Sequence, residues 1–217
     1  RPNLDRNKKY FLAGAVAINT LAVFMTAVRG SILGLGVGLV IFAALYFWKY
    51  KSKLGRAFGL SAMVLAVLAL LIIFTPIKKS EFVKSSRLLV RLTDTSFNSY
   101  TAKTRFWAWE AGLNGWKESP KTILLGWGPE NFNIPFSKYF NPLFYQGPGS
   151  ETLFDRAHNM FVEILVTMGL VGLGFYMWIF FVAFRNLFKL LRHDSEYSFF
   201  AIALIPLLVV YMIHNSF

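Results

Sequence analysis

The chain has 217 residues, of which 55% are hydrophobic, 18% aromatic and only 16% charged. A soluble domain of this length carries more charge and shorter apolar runs, so the composition excludes an ordinary water-soluble globular protein and points to an integral membrane protein. The formal charge of +12 comes from basic residues scattered between apolar runs, with no basic stripe of interleaved aromatics, which sets nucleic acid aside in favour of membrane phospholipid and an anionic substrate.

Residues 1–9 are polar and basic. Residues 10–28 make a first spanning candidate and residues 31–48 a second, with only Arg29-Gly30 between them. Residues 49–56 form a basic loop (Lys49, Lys51, Lys53, Arg56), and residues 57–77 a third span containing Pro76 near its end. Residues 78–157 form a long non-spanning segment. Its pattern predicts a helix around 82–92 and a stronger one around 101–118 with Trp107, Trp109, Leu113 and Trp116, capped by Asn98 or Ser99 and followed by Pro120. A turn punctuated by Gly and Pro follows over 124–132, then an aromatic loop without clear period over 136–154. A fourth span covers 159–184, a basic loop with Arg185, Lys189 and Arg192 covers 185–198, and a fifth span bearing Pro206 covers 199–211.

The expected fold is therefore all-α: a polytopic transmembrane helix bundle with a large, partly helical extracytoplasmic loop. Three spans lie in residues 1–77, the loop domain in 78–157, and two further spans with a basic cytoplasmic loop in 158–217. Short basic loops stay in the cytoplasm, which places the N-terminus, 49–56 and 185–192 inside. The Arg29 turn, the long segment and His214 then fall outside. The chain starts at Arg1 and stops at Phe217 directly after an apolar run, and reads as an excerpt from a longer polytopic protein.

Candidate chemistry gathers on the outer side. Arg29 interrupts an apolar stretch where short loops normally lack positive charge; it either snorkels to headgroup phosphate or forms an anion site. Arg105 either stacks on Trp109, four residues on, or uses that aromatic face to hold its guanidinium as a fork for phosphate. His158 sits at the mouth of the fourth span, with Asp155 and Arg156 just outside it and Glu163 about one turn inside. The plain reading is an Asp155 N-cap, a snorkelling Arg156 and an interfacial histidine. The functional one has Asp155 and His158 sharing the face of a first helical turn, the carboxylate orienting the imidazole. The sequence has no Asp-x-Asp, no His-x-x-x-His, no phosphate-cradling glycine loop and no cysteine, so no metal site or cofactor is expected and cations must neutralise any leaving phosphate.

Thr104-Arg105-Phe106-Trp107, Ser119-Pro120, the turn from Leu125-Gly126-Trp127-Gly128 through Phe132, and Ala157-His158-Asn159 leading into Glu163 and Gly169-Leu170-Val171-Gly172 occur in that order. This resembles the O-antigen ligase/polymerase superfamily. Arg29-Gly30-Ser31 resembles the family's Ser-Arg-Gly segment, although Val28 stands where a serine is usual. The resemblance implies a metal-independent multi-spanning glycosyltransferase of the bacterial inner membrane, serving lipopolysaccharide or other envelope polysaccharide synthesis. Its donor would be a glycan on undecaprenyl pyrophosphate, and its acceptor a lipid, a polysaccharide or a protein hydroxyl. By the same resemblance His158 is the base and Arg29 and Arg105 bind the pyrophosphate. Asp155 joins His158 as a catalytic candidate, and Arg156, Trp109 and Asn159 complete the substrate-binding candidates.

A transporter or flippase for the same lipid-linked sugar is the alternative. Transporters of polar cargo place polar groups and broken helices near mid-bilayer. Here the helix centres are apolar and the polar residues cluster at one face, which favours surface chemistry.

Overall fold

The computed structural model describes residues 5–26, 29–50, 57, 59–61, 63–64, 100–146, 152–193 and 197–216. Every regular element among them is helical: α1 (Arg6–Met25), α2 (Arg29–Lys49), α3 (Tyr100–Trp116), α4 (Pro120–Leu125), α5 (Asn133–Lys138), a 3-10 turn (Pro142–Gln146), α6 (Met160–Arg192) and α7 (Ser198–His214). Most of the expected span over 57–77, the helix around 82–92 and the Asn98 or Ser99 cap lie outside the described residues.

Two of the described helices are long and apolar enough to cross a membrane. They are the Gly30–Lys49 stretch of α2, with 20 residues and mean hydropathy 2.1, and Met160–Arg192, with 33 residues and mean hydropathy 2.0. At 1.5 Å per residue, about 20 residues match a hydrocarbon core of roughly 30 Å. α7 is apolar but shorter, at 17 residues. α1 starts inside the basic N-terminal stretch, with Arg6, Lys8 and Lys9 in its first turn.

α2 and α7 pack closely because glycine lets them. Gly34 and Gly38 lie four apart on one face of α2; a β-carbon at Gly34 would stand 3.2 Å from Val210 Cγ1, and one at Gly38 would overlap Val210 Cγ2. Small residues at this spacing allow backbones to approach where lipid supplies no hydrophobic drive between helices. Lower down, Leu191, Ala201, Ile202 and Ile205 form a buried cluster against Ile41, Phe42 and Leu45 of α2 and Phe184, Leu187 and Leu190 of α6.

The helix directions follow from polar contacts at the two ends. At one end Lys49 Nζ donates to the carbonyls of Leu191 (3.2 Å) and His193 (3.1 Å), and Ser198 Oγ donates to His193 O (2.8 Å). At the other, Ser31 Oγ meets His214 Nδ1 at 3.0 Å, and Met160 N–H donates to Asn215 O at 2.8 Å. α2 and α6 thus run the same way and α7 runs back. The basic residues expected in a loop over 185–198 stand instead largely on the last two turns of α6, whose C-terminal carbonyls favour cations.

α3 to α5 form a second layer on the first turns of α6. Its core is aromatic: Phe132, Phe136, Phe144 and Phe154 are buried, with Phe136, Phe144 and Phe154 ring centroids 5.4–5.5 Å apart pairwise. Burying each phenyl ring is worth about 1.5–3 kcal/mol. The stretch expected to be an aperiodic loop over 136–154 therefore holds part of α5 and the 3-10 turn, shaped by this cluster and not by a local period.

Candidate active site

The site is built around one residue. Ala157 is fully buried, and both of its backbone groups are taken: its N–H donates to Glu163 Oε2 at 2.6 Å, and its carbonyl accepts from Trp109 Nε1 at 2.6 Å. One bond comes from α6 and the other from α3, so this residue is fixed between the two layers. Asn159, on the other side of His158, caps α6: its Oδ1 accepts from the N–H groups of Phe161 (2.9 Å) and Val162 (3.2 Å). Its Nδ2 donates to Ser216 O at 3.0 Å, just beyond α7. An asparagine cap of this kind is worth about 0.5–2 kcal/mol.

His158 is held between these two anchors with φ +52° and an exposed side chain. A non-glycine residue at positive φ costs about 1–3 kcal/mol and persists where its surroundings over-determine it. Here Trp109, Glu163 and the Asn159 cap supply that determination. The imidazole stands edge-on to Phe154, with centroids 5.6 Å apart and planes at 88°. Since Phe154 belongs to the aromatic core, the ring takes its direction from packed phenyl groups.

A pair of glycines seats this layer on α6. Gly126 ends α4 with φ 71° and ψ −167°, and Gly169 interrupts α6 with φ 67° and ψ −168°. A β-carbon on Gly126 would strike the backbone of Thr167 and Met168, and one on Gly169 that of Leu124 and Leu125. Past the crossing, Trp127 and Gly128 donate their N–H groups to the carbonyls of Val166 (3.1 Å) and Thr167 (2.7 Å). Trp127 Nε1 donates to Gly115 O at 3.0 Å, and Asn131 Nδ2 to Trp127 O at 3.2 Å. The Gly126-Trp127-Gly128 motif is thus a joint between helices.

The candidate residues are distributed as follows. Trp109 gives its ring N–H to Ala157 and meets Phe106 edge-on at 5.3 Å and 88°. Arg105 is partly exposed one helical turn, about 6 Å of axial rise, before Trp109. The side chain of Asn159 is engaged with backbone at both its atoms, so its described role is structural. The helical turn that would have paired Asp155 with His158 does not form: α6 begins at Met160, residues 155–159 are non-helical, and the cap is Asn159. Asp155 is exposed beside them. Arg156 is exposed and pairs loosely with the equally exposed Glu130 (3.7 Å), a contact worth little in water.

Arg29 begins α2, where a turn had been expected, two residues before Ser31. Because Ser31 meets His214, and Asn215 and Ser216 meet Met160 and Asn159, Arg29 and His158 lie at the same end of the helices. A separate basic surface of Arg185, Lys189 and Arg192 stands at the opposite end. Among the described residues no three His, Asp or Glu side chains are grouped to hold a metal ion.

The sequence placed Glu163 one turn inside the fourth span without a role of its own, showed Ser31 only within the Arg29 segment, and put His214 on the outer side without a partner. Glu163 carried a signal, an ionisable group inside an apolar run, which is expensive without a partner. The Ser31–His214 pair spans 183 residues of sequence and carried none.

These features describe a helical membrane protein in which the start of α2 at Arg29 and the His158 loop share one end of the packed helices. The family model described as O-antigen ligase matches residues 14–177, most of the chain, and the chain belongs to that family. At family level it is an O-antigen ligase/polymerase-type membrane glycosyltransferase of lipopolysaccharide or polysaccharide biosynthesis. The matched residues include Arg29, Arg105, His158 and Glu163 and stop short of α7. Neither the curated proteins nor the solved structures contain a match to the chain.

Proposed function

We propose that the protein transfers a glycan from an undecaprenyl-pyrophosphate donor to an acceptor hydroxyl on the outer side of the bacterial inner membrane, with His158 as general base. The observation that carries this reading is the clamped His158 loop. Its neighbours are fixed by Trp109, Glu163 and the helix cap, while the imidazole itself is exposed at the end where α2 brings Arg29. Such a group is pre-positioned for a substrate instead of being used by the fold.

In the proposed step His158 takes the acceptor's hydroxyl proton as the oxygen attacks the anomeric carbon. The bond from that carbon to the pyrophosphate oxygen breaks, and the lipid pyrophosphate leaves with the electron pair. Attack opposite the leaving group inverts the anomeric centre. A placed base contributes typically about 10²–10⁴-fold. Negative charge grows on the departing pyrophosphate, and Arg29 and Arg105 stabilise it in place of a metal ion; guanidinium forks match phosphate oxygens in pairs. Arg156 and Asp155 flank the base and bear on the acceptor's approach. The test is a purified, nanodisc-embedded protein given a synthetic undecaprenyl-pyrophosphate glycan, with candidate acceptors, and analysis of what the sugar becomes attached to. A flippase would move the donor across the bilayer and leave its pyrophosphate linkage intact.

A further inference from the structure

Three consecutive residues at the end of α7 tie the two halves of the proposed site together. His214 Nδ1 meets Ser31 Oγ at 3.0 Å, two residues into the helix that Arg29 begins. Asn215 O accepts from Met160 N–H at 2.8 Å, and Ser216 O accepts from Asn159 Nδ2 at 3.0 Å, both immediately after His158. Along its length α7 lies against α2 through Val210 at Gly34 and Gly38. That glycine contact sets the separation of the two helices, and at the far end Lys49 of α2 and Ser198 of α7 both donate to His193 O. The Ser31–His214 contact adds the axial restraint at the Arg29 end.

We propose that Ser31 and His214 form a positioning pair that fixes the Arg29 end of α2 against the His158 loop, so that pyrophosphate and base are held at a set separation. This rests on the reading of Arg29 as a donor ligand and His158 as the base. The pair touches neither substrate; it acts through α2 and through the Asn159 cap. Loss of this restraint leaves both groups present but lets their separation drift. A misplacement of about 1 Å at a reacting centre can cost on the order of 100-fold in rate, whereas an arginine that moves with its ligand keeps binding it.

The chemistry of the pair makes it testable. An asparagine side chain places a carboxamide atom where the histidine Nδ1 stands; glutamine places it where Nε2 stands. His214→Asn therefore keeps a partner for Ser31, and His214→Gln removes it. In the nanodisc transfer assay, Ser31→Ala and His214→Gln are each expected to lower kcat about 10-fold or more with donor KM changed less than about 2-fold. The double variant Ser31→Ala/His214→Gln should be no worse than either alone, and His214→Asn should stay within about 3-fold of the parent. A parental kcat for Ser31→Ala, losses that multiply in the double variant, or a His214→Asn as slow as His214→Gln would each overturn the pairing. His158→Gln run beside them separates the two levels. Normal transfer by His158→Gln removes the catalytic reading and the pair with it, whereas an inactive His158→Gln beside a fully active Ser31→Ala removes the pair alone.

Discussion

Gly126 and Gly169 are reciprocal: each stops a helix at positive φ, at +71° and +67°, and each lies where a β-carbon would enter the backbone of the segment the other one ends. The crossing presses α4 onto the first turns of α6 and lets Trp127 and Gly128 complete two backbone hydrogen bonds there. Gly126→Ala or Gly169→Ala meets both left-handed strain and overlap with backbone that has no rotamer to move. Each substitution is expected to cost at least about 2–3 kcal/mol, read as a large drop in thermal stability in detergent. Gly174→Ala, where nothing lies within 4 Å, is the control and should be neutral or slightly stabilising.

Glu163 and Trp109 are expected to matter through Ala157. Glu163→Ala leaves a buried N–H without its acceptor, a penalty of about 1–3 kcal/mol, and releases one side of the strained His158 backbone. Transfer should fall about 10- to 100-fold with donor binding retained. Glu163→Gln keeps a carbonyl oxygen for the same bond and should recover most of the rate. Trp109→Phe, which loses the ring N–H to Ala157 O, should resemble Glu163→Ala. Measuring kcat and donor KM separately for the three variants checks this, because a shared loss confined to kcat marks loop positioning.

The arginine account predicts full turnover in excess EDTA. Arg105→Lys should lower donor affinity at least about 10-fold, since a compact ammonium cannot reproduce a two-point grip on phosphate. Restoration of an EDTA-treated enzyme by magnesium or manganese would contradict it.

The absence of native cysteine makes sidedness easy to read. With basic residues gathered at the Lys49 and Arg192 end, Lys117→Cys should react with a membrane-impermeant thiol reagent in intact spheroplasts, and His193→Cys only after permeabilisation. Both positions are exposed. The reverse pattern would invert the orientation.

Much of the helical plan was legible in the sequence, because apolar runs of about 20 residues and a tryptophan-rich periodic stretch are local signals. α2, α3 and α6 fall close to their expected positions. Local signals failed where tertiary contacts decide. Asp155 offered an N-cap by residue type, yet Asn159 takes that place, because the chain before it is pulled into the aromatic core through Phe154 and Ala157. Arg185, Lys189 and Arg192 suggested a loop by charge, yet they continue α6, where the helix end supports them. Phe136, Phe140 and Phe144 stand four apart, a helical spacing, yet the helix ends at Lys138 and the three rings converge on one another instead of lining the face of a long helix. The sequence offered its candidate site residues one by one; the bonds that bring the Arg29 and His158 ends together, through Ser31 and His214, could be seen only once the helices were packed.

If His158 is the base, one variant should separate transfer from donor binding. In nanodiscs with a synthetic undecaprenyl-pyrophosphate glycan, His158→Gln should lower the transfer rate at least about 10²-fold while binding the donor within a few-fold of the parent, because the arginines remain. A His158→Gln protein that transfers at nearly the parental rate would contradict the account and leave His158 as an interfacial side chain ahead of α6.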